Sequence, residues 1–277
     1  MVLTSVTVRS DLRVGAWGAG IVTEVGCPVV AIVRNQVDGV MAVLPLRKST
    51  HGVSASFMVR ADDEQDYWCK AVNNPASPRV PTNEQVAGRL GALIGVSVAL
   101  PALVNVDALG AWEFHPGLKL LGGWVHGCRA VEGALETRAL DHRTDDDNRV
   151  RHAGFYALMD WLSGGDQQWL YTGSAENAYY SHDHGHFFPG GPDWSPTTLT
   201  AVGTIPQQLP TPPDGLDRPE IDRLANAIEA VTREEIDDVM SKIPSTWPVS
   251  DGDLEALASF LDARRVPAAG RLRGLVP

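Results

Sequence analysis

Lys70, Glu84, Asp166 and Asp183 are the residues whose types and spacing could carry chemistry in this chain. Lys70 closes the segment DYWCK, and Glu84 follows 14 residues later in the first turn of a predicted helix. A strand lysine beside a glutamate on the next helix can hold phosphate oxygens. The same spacing also fits a solvated edge-strand lysine and a glutamate that only favours a helix N-terminus. Asp166 and Asp183 are 17 residues apart on either side of a predicted hairpin. That suits a proton acceptor in one loop and a metal-binding carboxylate just after the returning strand. Gly185 would let the chain turn away directly beyond that carboxylate. SHDHGHFF offers a competing chemistry: as a strand it puts His182, His184 and His186 on one face, the ligand set of a zinc or iron hydrolase or oxygenase.

The elements that must position these residues follow from periodicity. VMAVLPL, ASFMVRA and DYWCKAV read as three strands of an antiparallel meander. Thr82 and Gln85 have capping-box spacing at the start of a helix whose apolar face is Val86, Leu90, Leu93 and Ile94, ending at Gly95. VALPALVNV returns as a strand. Arg151 to Leu162 reads as a helix, WLYT and AYYSHDHG as a hairpin joined by GSAEN, and further helices begin near Pro219, Thr232 and Asp251. Thr232 and Glu235 form a second capping box. Trp68, Trp161, Trp169 and Trp247 are expected in the core, and Asp145, Asp146 and Asp147 in a solvated loop that has the carboxylates for a calcium ion. Residues 1–37 are rich in glycine and valine, and Gly15, Gly18 and Gly20 do not follow the dinucleotide fingerprint.

The whole chain bounds the choice. Its 277 residues carry a formal charge of −11, all of that excess lying after residue 80, so a nucleic-acid ligand is not expected. Cys27, Cys69 and Cys128 are odd in number and lack CxxC spacing, which argues against a disulfide framework and for a reducing cytoplasm. The start lacks the pattern of a secretion signal. The most apolar run, from Val86 to Val106, is broken by Arg89, Gly95 and Pro101 and reads as helix, turn and strand rather than a membrane span.

Taken in order, DYWCKAVNNPASPRVPTNEQVAGRLGALIGV, FYALMDWLSGGDQQWL, SHDHGHFF and IPSTWPVSDGDLEALASFLDARR resemble the HipA-like kinase family, over about residues 40–265. The resemblance implies an α+β, two-lobed protein-kinase-like fold. A strand-rich extension would occupy 1–37, an N-lobe of small antiparallel sheet and one helix 38–108, and a mainly helical C-lobe 109–277. It implies a phosphotransferase using ATP with Mg2+ or Mn2+ on a hydroxyl acceptor, a protein serine or threonine or a smaller molecule. Lys70 would contact the ATP phosphates and Glu84 orient it. Asp166 would be the catalytic aspartate, and Asp183, in a DHG where kinases have DFG, would chelate the metal. The Arg47–Ser54 loop would cover the phosphates, with Gly52 allowing close approach and Ser49, Thr50 and Ser54 open to self-modification. The chain departs from the family where a metal-binding asparagine is expected five residues after Asp166; Tyr171 stands there, and Gln168 is the substitute in a shortened loop. A nucleotide-binding pseudokinase is the alternative this departure supports.

Overall fold

The computed structural model describes residues 32, 34, 38–50, 53–173, 177–209 and 212–275. The extension expected over 1–37 lies outside them apart from Ile32 and Arg34, as do Gly15, Gly18, Gly20, Cys27 and Gly52.

Strands β1 (Val40–Lys48), β2 (Phe57–Ala61) and β3 (Asp66–Lys70) form the expected meander, and α1 (Val80–Leu93) and β4 (Pro101–Asn105) follow. The sheet is not the open antiparallel one read from the sequence. After the small β5 (Glu113–His115) and β6 (Leu118–Lys119) hairpin, β7 (Trp124–Arg129) inserts between β3 and β4. β4 then pairs with β1 in parallel, Val40 opposite Val104, and closes a five-stranded barrel in the order β1-β2-β3-β7-β4. Closure satisfies both strand edges. Strand alternation sends Phe57, Val59, Ala61, Tyr67 and Cys69 into the barrel, which leaves Lys70 on the outer face under α1.

Helix α1 starts two residues before the expected cap. Val80 and Pro81 open it, proline needing no amide partner in the first turn. Thr82 is fully buried with no partner for its hydroxyl, so there is no Thr82–Gln85 box. Val86, Leu90 and Ile94 are buried as expected, whereas Leu93 is 43% exposed. Gly95, at φ +76°, ends the helix.

The remainder packs around α2 (Asn148–Leu162), which begins three residues earlier than its periodicity suggests. β8 (Ala134–Thr137), β9 (Trp169–Thr172) and β10 (Ala178–Ser181) make a separate antiparallel sheet. The helices α3 (Pro196–Val202), α4 (Arg218–Ala230), α5 (Arg233–Ser241) and α6 (Asp251–Arg273) complete it. The Thr232–Glu235 capping box is present on α5. Trp161, Trp169 and Trp247 are buried, and Trp169 stacks on Phe155 at 4.7 Å between centroids. Trp68 departs from the core expectation: it is half-buried on the barrel's exterior with the Arg47 guanidinium 5.0 Å from its ring. Among the described residues no helix is long and apolar enough to cross a membrane, and no acidic, His or Cys cluster, Asp145–Asp147 included, has the arrangement of a metal site.

Candidate functional site

Lys70 is 7% exposed, and its ammonium reaches two carboxylates: Glu84 Oε1 at 2.5 Å and Asp183 Oδ1 in a second short ion pair. A buried ammonium is tolerable only with such partners. Burial pushes the lysine's affinity for its proton down, but the charges and hydrogen bonds of Asp183 and Glu84 outweigh this and raise it above the ordinary value. Burial pushes the Asp183 carboxyl up, and Lys70 more than reverses that, holding it well below the usual carboxylate range. Both groups are therefore charged across the neutral range.

Glu84 does more than pair with lysine. Its Oε2 accepts from the backbone N–H of His184 at 2.9 Å, so one carboxylate ties the barrel strand to the chain just after Asp183. Gly185 packs closely here. A Cβ would lie 3.0 Å from Val80 Cγ1 and 3.2 Å from Glu84 Oε1. The neighbouring Asn83, fully buried, fixes the next stretch: its Nδ2 donates to the carbonyls of Gly185 (2.8 Å), Phe187 (3.2 Å) and Gly191 (3.4 Å). Its Oδ1 accepts from Trp194 Nε1 at 2.7 Å.

The SHDHGHFF stretch is not a continuous strand. β10 stops at Ser181, Asp183 takes the left-handed conformation (φ +53°), and His184–His186 form a single tight helical turn. The period-two argument for three histidines on one face therefore fails. His184 is buried and turned inward, Nε2 at 2.9 Å from Ser181 Oγ and Nδ1 at 3.7 Å from Glu84. Burial lowers its basicity, and that of His182 to about 4.

A cavity of about 490 Å3 opens beside this cluster, within the size range of small-molecule sites. Lys70, Glu84, Asp183, Gln168 and Ser54 all line it, so the structure brings together most of the residues singled out from sequence. Val53, Trp68 and Leu170 supply apolar wall; His126, Cys128 and Arg138, which sequence reasoning passed over, also face it. His182 faces it with a buried Nε2 that has no hydrogen-bond partner among the described residues, an orphan atom of the kind a bound polar group satisfies. Asp166 is not in this cavity. It lies in the loop before β9 and lines an adjacent groove that shares His186 with the cavity. Gln168 connects the two, its Nε2 donating to Asp166 Oδ2 at 2.6 Å. Asp166 also accepts from the Gln167 amide at 2.9 Å and sits 3.6 Å from the Arg138 guanidinium. Tyr171 is unavailable to the cavity: it lies on β9, where its hydroxyl donates to Asn177 Oδ1 at 2.5 Å.

Asn83 and Arg138 left no local signal in the sequence. Asn83 stands in a polar run, TNEQ, that reads as a helix start, and only its burial beside the DHG segment reveals its use.

The fold, a five-stranded barrel with one flanking helix and a largely helical remainder, is similar to that of a solved kinase structure. The chain superposes on the crystal structure of a Helicobacter pylori proinflammatory kinase, CtkA, with a TM-score of 0.55 at 13% identity, covering 87% of this chain and 99% of that one. At that identity the likeness establishes the fold alone. The Golgi casein kinase is more distant, with a TM-score of 0.45 at 10% identity over 90% of this chain and 77% of its own. No family model matches the chain, so the HipA-like resemblance rests on the order of its motifs. No curated protein matches it either.

Proposed function

We propose that this chain is an ATP- and divalent-metal-dependent phosphotransferase, HipA-like in its motif order, acting on a hydroxyl acceptor of the protein serine or threonine type. The observation that carries the reading is the triad of Lys70, Glu84 and Asp183 from three separate elements at the wall of one nucleotide-sized cavity. The reading divides residues 38–277 into two lobes, with β7 assigned to the first because it pairs with β3 and β4.

The residues present fit a metal-bound nucleotide. A carboxylate held ionised, an amide oxygen on Gln168, a lysine and a partnerless histidine nitrogen surround space bounded on other sides by Val53, Trp68 and Leu170. Asp183 and Gln168 would hold Mg2+ or Mn2+, and the bound ion would neutralise charge on the phosphates. Lys70 contributes a fixed positive charge to phosphate oxygens, and Glu84 keeps it from swinging away. Ser49, Val53 and Ser54 border the same space. Asp166 orients the acceptor hydroxyl and takes its proton as the new oxygen–phosphorus bond forms and ADP departs.

One observation favours the alternative of a nucleotide-binding pseudokinase: both oxygens of Asp166 already accept hydrogen bonds, Oδ2 from the Gln168 side chain and Oδ1 from the Gln167 backbone N–H. Intact-mass analysis after incubation with ATP and Mg2+ or Mn2+, with a generic protein acceptor present, separates the two. Phosphate on the wild-type chain or the acceptor, and on neither with Asp166→Asn or Asp183→Asn, is expected. Nucleotide binding by calorimetry with no transfer under any metal would replace the enzyme by the binding module, and absence of both would end the reading.

A further inference from the structure

Asp166 lines a groove of about 580 Å3 to which Lys70 does not contribute. Phe188, Pro189, Val202, Ile205 and Pro206 give it apolar walls, and His186 separates it from the nucleotide cavity. Among the described residues that line it there is no lysine or arginine, and Asp166 is the one carboxylate. The cation paired with Asp166 is Arg138, at 3.6 Å and outside the groove's lining, so the groove itself offers no cationic partner to a phosphate, carboxylate or nucleic-acid backbone.

The wall carrying Ile205 is built rather than loose. Arg264, fully buried on α6, donates to the carbonyls of Gly203 at 2.7 Å and Ile205 at 3.0 Å, and Arg271 donates to Thr204 O at 3.2 Å. Asp160 on α2 binds Arg271 at 2.7 Å and accepts from the Gln207 amide at 3.1 Å. Gln207 Nε2 reaches Gly164 O at 2.6 Å, which couples this wall directly to the loop that holds Asp166. On this clamped backbone Ile205 is nonetheless 59% exposed. An aliphatic side chain held rigidly in solvent beside a reactive carboxylate has the character of a binding contact. Gly190 at φ +100° and Gly191 at φ +63° also line the groove in the left-handed region, where a side chain would be strained.

We infer that this groove is the acceptor site and that it takes an unstructured protein segment in which the serine or threonine is flanked by an apolar side chain packed on Ile205. The inference rests on the phosphotransferase reading and adds the substrate class to it. Ile205 is a specificity residue here, touching the acceptor's neighbour and not the reacting atoms.

The test is a degenerate serine/threonine peptide library incubated with the full chain, ATP and Mg2+ or Mn2+, run for wild type, Ile205→Leu and Ile205→Glu, with ADP titrated calorimetrically into the same three samples. The expected result is a preference of about tenfold or more for apolar over acidic neighbours in wild type, the scale of one side chain in an apolar pocket. Ile205→Leu keeps that preference, and Ile205→Glu loses it and turns toward basic neighbours. Transfer with a flat preference, or a preference that Ile205→Glu leaves unchanged, overturns the inference while the phosphotransferase stands. Transfer to no peptide also overturns it, and the ADP titration then reports separately whether nucleotide binding at the first cavity survives.

Discussion

The two aspartates of the site are held in opposite ways. Asp183, with its side chain 20% exposed, is locked to Lys70, which is locked to Glu84, which is locked to the backbone of His184. Asp166, 27% exposed, is held by the amide of the next residue, by Gln168 two residues on, and by an exposed arginine at 3.6 Å. The first arrangement ties three distant parts of the chain together at the expense of burying charge. The second holds its carboxylate through two residues of the same loop and one exposed arginine, contacts that an incoming group could displace without unpairing a buried charge. Charge that must stay fixed is embedded in the fold, and the group that must exchange a proton is kept on a loop.

The sharpest way to break this contrast is Lys70→Met. It leaves Glu84 and Asp183 as neighbouring buried carboxylates with no cation, so unfolding stability should fall by about 3–5 kcal/mol, and phosphoryl transfer should be lost. Urea denaturation measures the first. A variant as stable as wild type would mean that water already screens the pair, and that the cluster is not the rigid partner in the comparison.

Asp166→Asn should do the reverse. Transfer should drop by roughly 10²–10⁴-fold as the proton acceptor is removed, while stability changes by less than about 1 kcal/mol, because no distant element depends on this side chain. Single-turnover transfer and thermal melting on one preparation check both halves. A collapse in stability comparable to that of Lys70→Met would erase the distinction between the two carboxylates.

Much of the rigid cluster was legible in the sequence, for a physical reason. Lys70, Glu84 and Asp183 each stand at the end of an element whose period is clear, and alternation alone puts Lys70 opposite the barrel-facing Cys69. What was not legible depends on contacts across long stretches of chain. β7 closes the barrel only by pairing with β3 and β4, and β5–β6 and α3 lie in segments whose glycines and prolines mask short regular pieces. Asn83 and Arg264 are buried polar residues whose partners lie 102 and 103 residues away in the cases of Gly185 and Trp161. The three histidines misled because period two was extended past Ser181, where a positive φ at Asp183 ends the strand.

Acid should sharpen the comparison from the side of the scaffold. His152, fully buried on α2, is held down to about 3, first by burial and then by Arg143 and Arg151. It stays neutral in the folded state while the unfolded chain takes up a proton below about pH 6.5. Its contribution to stability is therefore complete above that pH and is lost as pH falls toward 3, at up to about 1.4 kcal/mol per pH unit. Chemical denaturation from pH 7 to 4 should show a shallower loss in His152→Leu than in wild type. Equal slopes would assign acid sensitivity elsewhere.

The smallest expected effect belongs to Gln168, which faces the cavity of Asp183 and also donates a hydrogen bond to Asp166. Gln168→Ala removes a hydrogen bond of about 0.5–1.5 kcal/mol, which corresponds to a loss of roughly tenfold or less in transfer. The metal dependence of that loss tells which region the residue serves. If its amide oxygen helps Asp183 hold the ion, raising Mg2+ or Mn2+ should restore most of the rate, because mass action replaces a lost ligand. If its amide only orients Asp166, the deficit should persist at saturating metal. Rescue would join the two regions into one metal-linked unit, and persistence would keep them as separate as their packing is.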